Sequence, residues 1–285
     1  MKNTFLASLI VILFGMPISA SYSEPTRVVS TNLCTDQLAL LIAHPNQILS
    51  LSYLSIDENS SVLYEQARQY PVNHGLAEEV FALKPDLVLS GLYSARYTTA
   101  LLRRLGKNVV TFNPAYSLED IKANITRMGK ILGREKEARF ILKKFNQDLT
   151  KIAELASLKS PSSARTLSLY GANGRTTGAG TLANALIKAA GFENLAGRLE
   201  ITGTGYLPLE ILVHEAPDML VTYGKDLISS RSEEALHHPA LTKAFSPSSR
   251  LDIASKHWIC GAPFIVETLL KLIQAQNTSS ERVNP

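Results

Sequence analysis

Only two cysteines, Cys34 and Cys260, and one tryptophan, Trp258, occur among the 285 residues. That scarcity excludes a small scaffold stapled by many disulfides. Charge is sparse too: 19% of residues are charged, and 29 Lys and Arg against 25 Asp and Glu leave +4 without a long basic run. Nucleic-acid binders concentrate positive charge in a patch, so no nucleic-acid partner is expected. The 45% apolar content excludes a disordered chain and a multi-span membrane protein. Catalytic signatures are missing: there is no serine elbow, no phosphate loop ending in Gly-Lys-Ser/Thr and no His-Glu-x-x-His. The histidines His44, His74, His214, His237, His238 and His257 show no metal-ligand spacing, and His237-His238 before Pro239 reads as an exposed turn. Neither catalytic residues nor a resident metal or cofactor are expected.

What is present begins with an address. Residues 1–23 read as a secretory signal peptide: Lys2, an apolar run from Phe5 to Met16, and Pro17. The run is shorter than the roughly 20 apolar residues that a spanning helix requires. Cleavage is expected after Ala20 or Ser23, and the exported chain is soluble. Losing Lys2 leaves 29 − 1 = 28 bases against 25 acids, a mature charge of +3. Export to an oxidising compartment makes a Cys34–Cys260 disulfide possible. Closing so long a loop would restrict the unfolded state by about 5 kcal/mol. The sequence leaves the pairing open, because it needs Cα atoms within about 7 Å.

At roughly 100–200 residues per domain, one or two domains fit. In the first half, strand-like runs (Arg27–Ser30, Ile48–Leu51, Asp86–Leu89, Asn108–Phe112) alternate with helix-like ones (Asp36–Ala43, Ser61–Tyr70, Glu78–Leu83, Thr98–Leu105). That rhythm implies a mainly parallel sheet covered on both faces. Asn32 and Thr35 are candidate N-caps for the first helix, and Ser117 for a later one reaching Gly133. From Arg134 to Leu158 neither glycine nor proline occurs, and apolar residues recur every three or four positions. The rhythm then restarts with strands at Arg165–Tyr170, Met219–Tyr223 and Arg250–Ile253 and helices at Thr181–Ala190, Glu210–His214 and Pro263–Ile273. The expected fold is α/β: two doubly wound lobes joined by a single long α-helix. Its divisions are a signal peptide (1–23), an N-terminal lobe (24–133), a connecting helix (134–160), a C-terminal lobe (161–275) and a flexible tail (276–285).

An internal echo supports two lobes. Glu78, six residues, Pro85-Asp86, an apolar strand and Gly91 are repeated 132 residues later as Glu210, six residues, Pro217-Asp218, an apolar strand and Gly224. Each copy sets a glutamate at the start of a short helix. Gly178-Ala179-Gly180-Thr181-Leu182-Ala183 matches a loose dinucleotide fingerprint, which keeps a secreted nucleotide-dependent enzyme as a remote alternative. A bare-metal carrier using scattered His and acids is a third. Aromatic and cationic residues cluster just after strand ends, where open α/β sheets bind ligands. They are Tyr53, His74, Tyr93, Arg96 and Tyr97 in the first half, and Arg175, Tyr206, Lys225, His257 and Trp258 in the second. Split over both halves, they suggest a cleft for a wide or ring-rich ligand.

The segments RVVSTNLCTDQLALLIA, GLAEEVFALKPDLVLSG and YLPLEILVHEAPDMLVTYG, with the unbroken helix between them, resemble the periplasmic substrate-binding proteins of iron-complex and cobalamin ABC importers. The resemblance spans nearly the whole mature chain. It implies two lobes gripping a ligand, periplasmic localisation, and docking onto an inner-membrane permease through one glutamate per lobe. Those acids are Glu78 and Glu210, with Glu79 as a substitute for Glu78. The implied ligands are cobalamin or another corrinoid first, then a ferric siderophore met by Arg96 and Arg175, then haem ligated by His74, His257 or a cleft tyrosine. The implied ligand-binding set is Tyr53, His74, Tyr93, Arg96, Arg175, Tyr206, Lys225 and Trp258, in a monomer. A Cys34–Cys260 bridge would tether the lobes and restrict their opening.

Overall fold

Short runs of valine, leucine and isoleucine, each bounded by polar or glycine-containing turns, form two parallel sheets in the computed structural model, which describes residues 24–157, 165–223 and 236–280. The first sheet contains β1 (Val28–Ser30), β2 (Ile48–Ser52), β3 (Val72–Asn73), β4 (Leu87–Gly91) and β5 (Val109–Phe112), in the order β3-β2-β1-β4-β5. Its central strands are buried on both faces, as continuous apolar runs require. Around it lie α1 (Leu33–Ile42), α2 (Tyr64–Ala67), α3 (Ala77–Ala82), α4 (Arg96–Arg104) and α5 (Leu118–Leu132). Asn32 Oδ1 caps α1 by accepting from the Cys34 and Thr35 amides, so this helix starts three residues before the expected Asp36. Ser117 caps α5, and Gly133 closes it at φ +69°. The helix expected over Ser61–Tyr70 shrinks to α2 alone.

The connecting helix is α6 (Glu135–Ser157), roughly 35 Å long at 1.5 Å per residue. It buries Ala138, Phe145 and Ile152, spaced by seven, and packs against elements of both halves. The second half contains β6 (Arg165–Tyr170), β7 (Arg175–Thr177), α7 (Leu182–Ala189), β8 (Phe192–Asn194), α8 (Leu195–Arg198), β9 (Thr204–Tyr206), α9 (Leu209–Glu215), β10 (Met219–Thr222), α10 (Pro239–Ala244), β11 (Arg250–Asp252) and α11 (Ile265–Ser280). Its parallel sheet runs β11-β10-β6-β8, and β7 and β9 form a separate antiparallel ribbon. Ile121 and Ile125 of α5 and Leu186 and Leu269 of the second half belong to one apolar cluster running through α6. Two α/β lobes are thus joined by a single long helix. The last helix continues to Ser280, past the point where the sequence pattern ends the lobe, since the polar stretch after Ile273 carries no helix breaker. Residues 1–23, with the expected cleavage points after Ala20 and Ser23, lie outside the described residues, as do Lys225, Gly224, the 158–164 boundary and the end of the tail.

The internal echo is reproduced in backbone and hydrogen bonds. Lys84 and Ala216, each preceding a proline, both leave the right-handed α region that the proline disfavours and take φ of +48° and +41°. Asp86 then accepts from the Thr26 amide at 2.9 Å and the Thr26 hydroxyl at 3.2 Å. Asp218 does the same with Thr166, at 2.7 and 3.1 Å. Each Pro-Asp turn therefore fastens the first strand of its own lobe beside the strand it leads into.

Candidate functional site

In each sheet the strand order reverses once, between β1 and β4 and between β6 and β10, and crevices in open α/β sheets open at the carboxyl ends of such strands. Both reversal points hold a cavity. The first, about 200 Å³, is lined by Asn32 and Cys34 after β1, Tyr93 and Ser94 after β4, and Ala115 after β5. Asn32 donates to Ser94 Oγ at 2.8 Å and so ties the two strand ends together. The second, about 230 Å³, is lined by Leu169, Thr177, Ala183, Tyr223 and Trp258. Ile259 lines both cavities. The Thr177 hydroxyl is buried and has no partner among the described residues.

The candidate residues divide into groups. Tyr53 and His74, after β2 and β3, stack with centroids 5.4 Å apart. Glu79 fixes that histidine: it accepts from the His74 amide at 2.8 Å and lies 3.1 Å from Nδ1. These bonds hold the Glu79 carboxyl below its usual range. Tyr93 carries the Arg96 guanidinium 5.7 Å from its ring centre, and Tyr97 beside it is 94% exposed. Tyr116, absent from the sequence-derived set, faces the Tyr93 hydroxyl, and that hydrogen bond raises the Tyr116 phenol above its usual range. In the second lobe, Trp258 meets Tyr223 edge-on at 6.1 Å. Tyr223 is raised by burial and donates its hydroxyl to the Arg175 carbonyl at 3.1 Å. Arg175 and Tyr206 face each other across the β7–β9 ribbon, and neither lines either of these two cavities. His257 packs against Glu267 at 3.3 Å and is held below its usual range chiefly by burial.

Cys34 and Cys260 are bonded, with Cα atoms 5.1 Å apart. The bridge joins the first turn of α1 to the segment preceding α11, one lobe to the other. Beneath it Asp36 is fully buried, accepting from the Ser52 amide at 3.2 Å and from the Ser52 hydroxyl. Burial pushes its pKa up to about 7. Ser52 immediately precedes Tyr53, so this carboxyl supports the chain that presents that ring.

Glu78 and Glu210 occupy equivalent places, each exposed in the first turn of a short helix, α3 and α9. Neither has a hydrogen-bond partner among the described residues, whereas Glu79 is committed to His74. The glycine fingerprint does not serve a nucleotide. Gly178 donates to the Gly203 carbonyl at 2.8 Å and Ala179 to Ile201 at 2.9 Å, so these amides are already spent. A Cβ on Gly178 would fall 1.8 Å from the Ile201 oxygen. The preceding strand, β7, is part of an antiparallel ribbon and not of the parallel sheet a dinucleotide fold requires. Among the described residues, no three His, Cys, Asp or Glu side chains converge as a bare-metal site would need.

Residues 28–244 match the family model described as "Periplasmic binding protein". The chain is 27% identical over 264 residues to a "Cobalamin-binding protein" of Halobacterium salinarum, covering 89% of this chain and 70% of that one. Its fold is similar to that of the periplasmic heme-binding protein RhuT of Roseiflexus sp. RS-1, with a TM-score of 0.74, 18% identity, and coverage of 89% of this chain and 98% of that one. It is also similar to the periplasmic vitamin B12 binding protein BtuF of Vibrio cholerae, with a TM-score of 0.69, 15% identity, and coverage of 91% and 99%.

Proposed function

This chain belongs to the periplasmic binding protein family, whose members are substrate-binding proteins of transport and not enzymes, and from that premise we propose that it captures a metal chelate between its lobes and delivers it to an ABC permease. The chelate is cobalamin or another corrinoid. The observation that carries this reading is the pair of cavities at the two strand-order reversals, one per lobe, flanked by Tyr93 on one side and Trp258 with Tyr223 on the other. Aromatic faces suit a broad macrocycle, because they bury large area at small entropic cost. The 27% identity to a cobalamin-binding protein over most of the chain supports the same choice.

A second reading, haem or a ferric chelate, is favoured by His74. Its Nδ1 is engaged by Glu79, the arrangement that orients an imidazole for metal ligation through the other nitrogen. The ligand-binding set under this proposal is Tyr53, His74, Tyr93, Arg96, Arg175, Tyr206, Lys225 and Trp258. Glu78 and Glu210 are proposed to dock on cationic residues of the permease. Each exposed ion pair contributes only about 0.2–1 kcal/mol, so both lobes must engage together. Family members act outside the cytoplasm, and removal of residues 1–20 or 1–23 on export is part of the proposal.

The test is titration of the purified mature protein with cyanocobalamin, haemin and ferrichrome, followed through the fluorescence of the only tryptophan, Trp258. Saturable quenching at one site by cyanocobalamin supports the first reading. Saturation by haemin or ferrichrome alone moves the assignment to the second. No saturation by any of the three refutes chelate capture.

A further inference from the structure

Residues 256–261 belong to the C-terminal lobe by sequence, yet they are fastened to the N-terminal lobe by four separate contacts. Cys260 is bonded to Cys34. The Lys256 ammonium donates to the Glu58 carbonyl at 2.8 Å and lies 5.6 Å from the centre of the Tyr64 ring. Gly261 lies so close to the loop before α5 that a Cβ there would stand 2.3 Å from Ala115 Cβ. Between these anchors Ile259, 59% exposed, lines the cavity of each lobe. An exposed isoleucine standing between two cavities, on a segment fixed this firmly, has no packing role in either core.

We propose that the Cys34–Cys260 bond is a positioning device for ligand capture: it straps residues 256–261 across the floor between the lobes, so that Ile259 stands as a ridge dividing the cleft and sets the depth and width open to the ligand. This rests on the reading of the cleft as a chelate site. The physical basis is preorganisation, since a floor fixed before binding spares the ligand the ordering cost of a mobile loop. The other three contacts are individually weak: one lysine hydrogen bond, one cation–π contact at a largely exposed site, and van der Waals packing at Gly261. The covalent bond is the contact that holds the strap when the lobes fluctuate. Cys34 and Cys260 are positioning residues and need not touch the ligand.

Trp258 sits inside the strap and reports on it without any ligand. The experiment compares wild type with the Cys34→Ser/Cys260→Ser variant by acrylamide quenching of Trp258, by circular dichroism, and by titration with cyanocobalamin, haemin and ferrichrome. The expected result is an unchanged far-ultraviolet spectrum, an acrylamide quenching constant raised about twofold, and about tenfold weaker binding of whichever probe the wild type takes. Ile259→Ala, which keeps the bridge, should leave acrylamide quenching unchanged and alter the preference among the three probes. If the double variant does not fold, wild type reduced in its native state by a phosphine gives the same comparison. Unchanged Trp258 quenching on loss of the bridge overturns the proposal, and so does raised quenching with unchanged affinity. A wild type that binds none of the probes refutes the chelate reading, while the quenching comparison still decides whether the bridge holds the strap.

Discussion

Asp36 should make this protein less stable as pH rises from about 4 to about 7, and Asp36→Asn should remove the effect. The carboxyl is fully buried, and burial moves its pKa from 3.8 to about 7. The unfolded chain gives up this proton near 3.8, whereas the native state keeps it to about 7, so the folded form binds more protons between those values. Stability therefore falls across that window and levels off above it. The span from 3.8 to about 7, at 1.36 kcal/mol for each pH unit, amounts to about 4 kcal/mol. At roughly 2–4 °C per kcal/mol, the variant should melt on the order of 10 °C above wild type at pH 8 and close to it at pH 4. An asparagine at 36 keeps an acceptor for the Ser52 amide, 3.2 Å from the carboxylate oxygen, and offers an N–H to the Ser52 hydroxyl. Asp57, Asp120 and Glu79 are held below their usual values and act in the opposite sense, so the informative curve is the difference between the two proteins. Thermal unfolding followed by circular dichroism from pH 4 to 8 measures it. Melting curves that shift in parallel across that range would refute the reasoning, for they would mean that Asp36 titrates alike in both states.

Further outcomes follow from the same contacts. Glu78→Ala combined with Glu210→Ala should leave chelate affinity unchanged and abolish uptake in a transport assay, because both side chains are exposed and away from the cavities; normal uptake would remove the docking role. Glu79→Ala should instead weaken ligand binding and spare docking, since it frees His74. Replacing both cysteines by serine should lower the unfolding free energy by about 5 kcal/mol, from the entropy of a loop spanning 226 residues, as read by urea unfolding. Asp86→Ala and Asp218→Ala should each cost about 1–3 kcal/mol in the same assay, and by similar amounts, because the two carboxylates fasten equivalent strands.

The sequence carried the large features because they rest on local rules. The connecting helix expected over 134–160 is legible from the unbroken three-and-four spacing up to Leu158, and among the described residues it forms as Glu135–Ser157. The Glu…Pro-Asp echo was legible because a residue before proline has few backbone choices, and Lys84 and Ala216 resolve that constraint in the same way. The β7–β9 ribbon is not legible in the sequence, since three residues per strand leave no room for alternation. The glycine turn at 178 is ambiguous for a related reason: whether the Ala179 amide faces a phosphate or the Ile201 carbonyl is decided by a residue 22 positions away. Residues after β2, β3 and β4 can be named from the strand-end rule, whereas Ile259, which lines both cavities, and Tyr116, which stands beside Tyr93, cannot, because a strap and a loop positioned by tertiary contacts bring them there. The cysteine pairing stayed open for the same cause. Nothing local relates Cys34 to Cys260, and their approach to 5.1 Å is a property of the assembled lobes.

The central claim is that one bulky chelate sits between the lobes. Native mass spectrometry of the protein isolated from its own cells, with the visible spectrum of the same sample, tests it most directly. The account predicts one adduct per chain whose mass and absorption are those of a corrinoid, a haem or a ferric chelate, present at a single stoichiometry. A bare chain that also fails to take up cyanocobalamin, haemin or ferrichrome when each is added in excess, or an adduct that is a nucleotide or an unchelated metal ion, would contradict it.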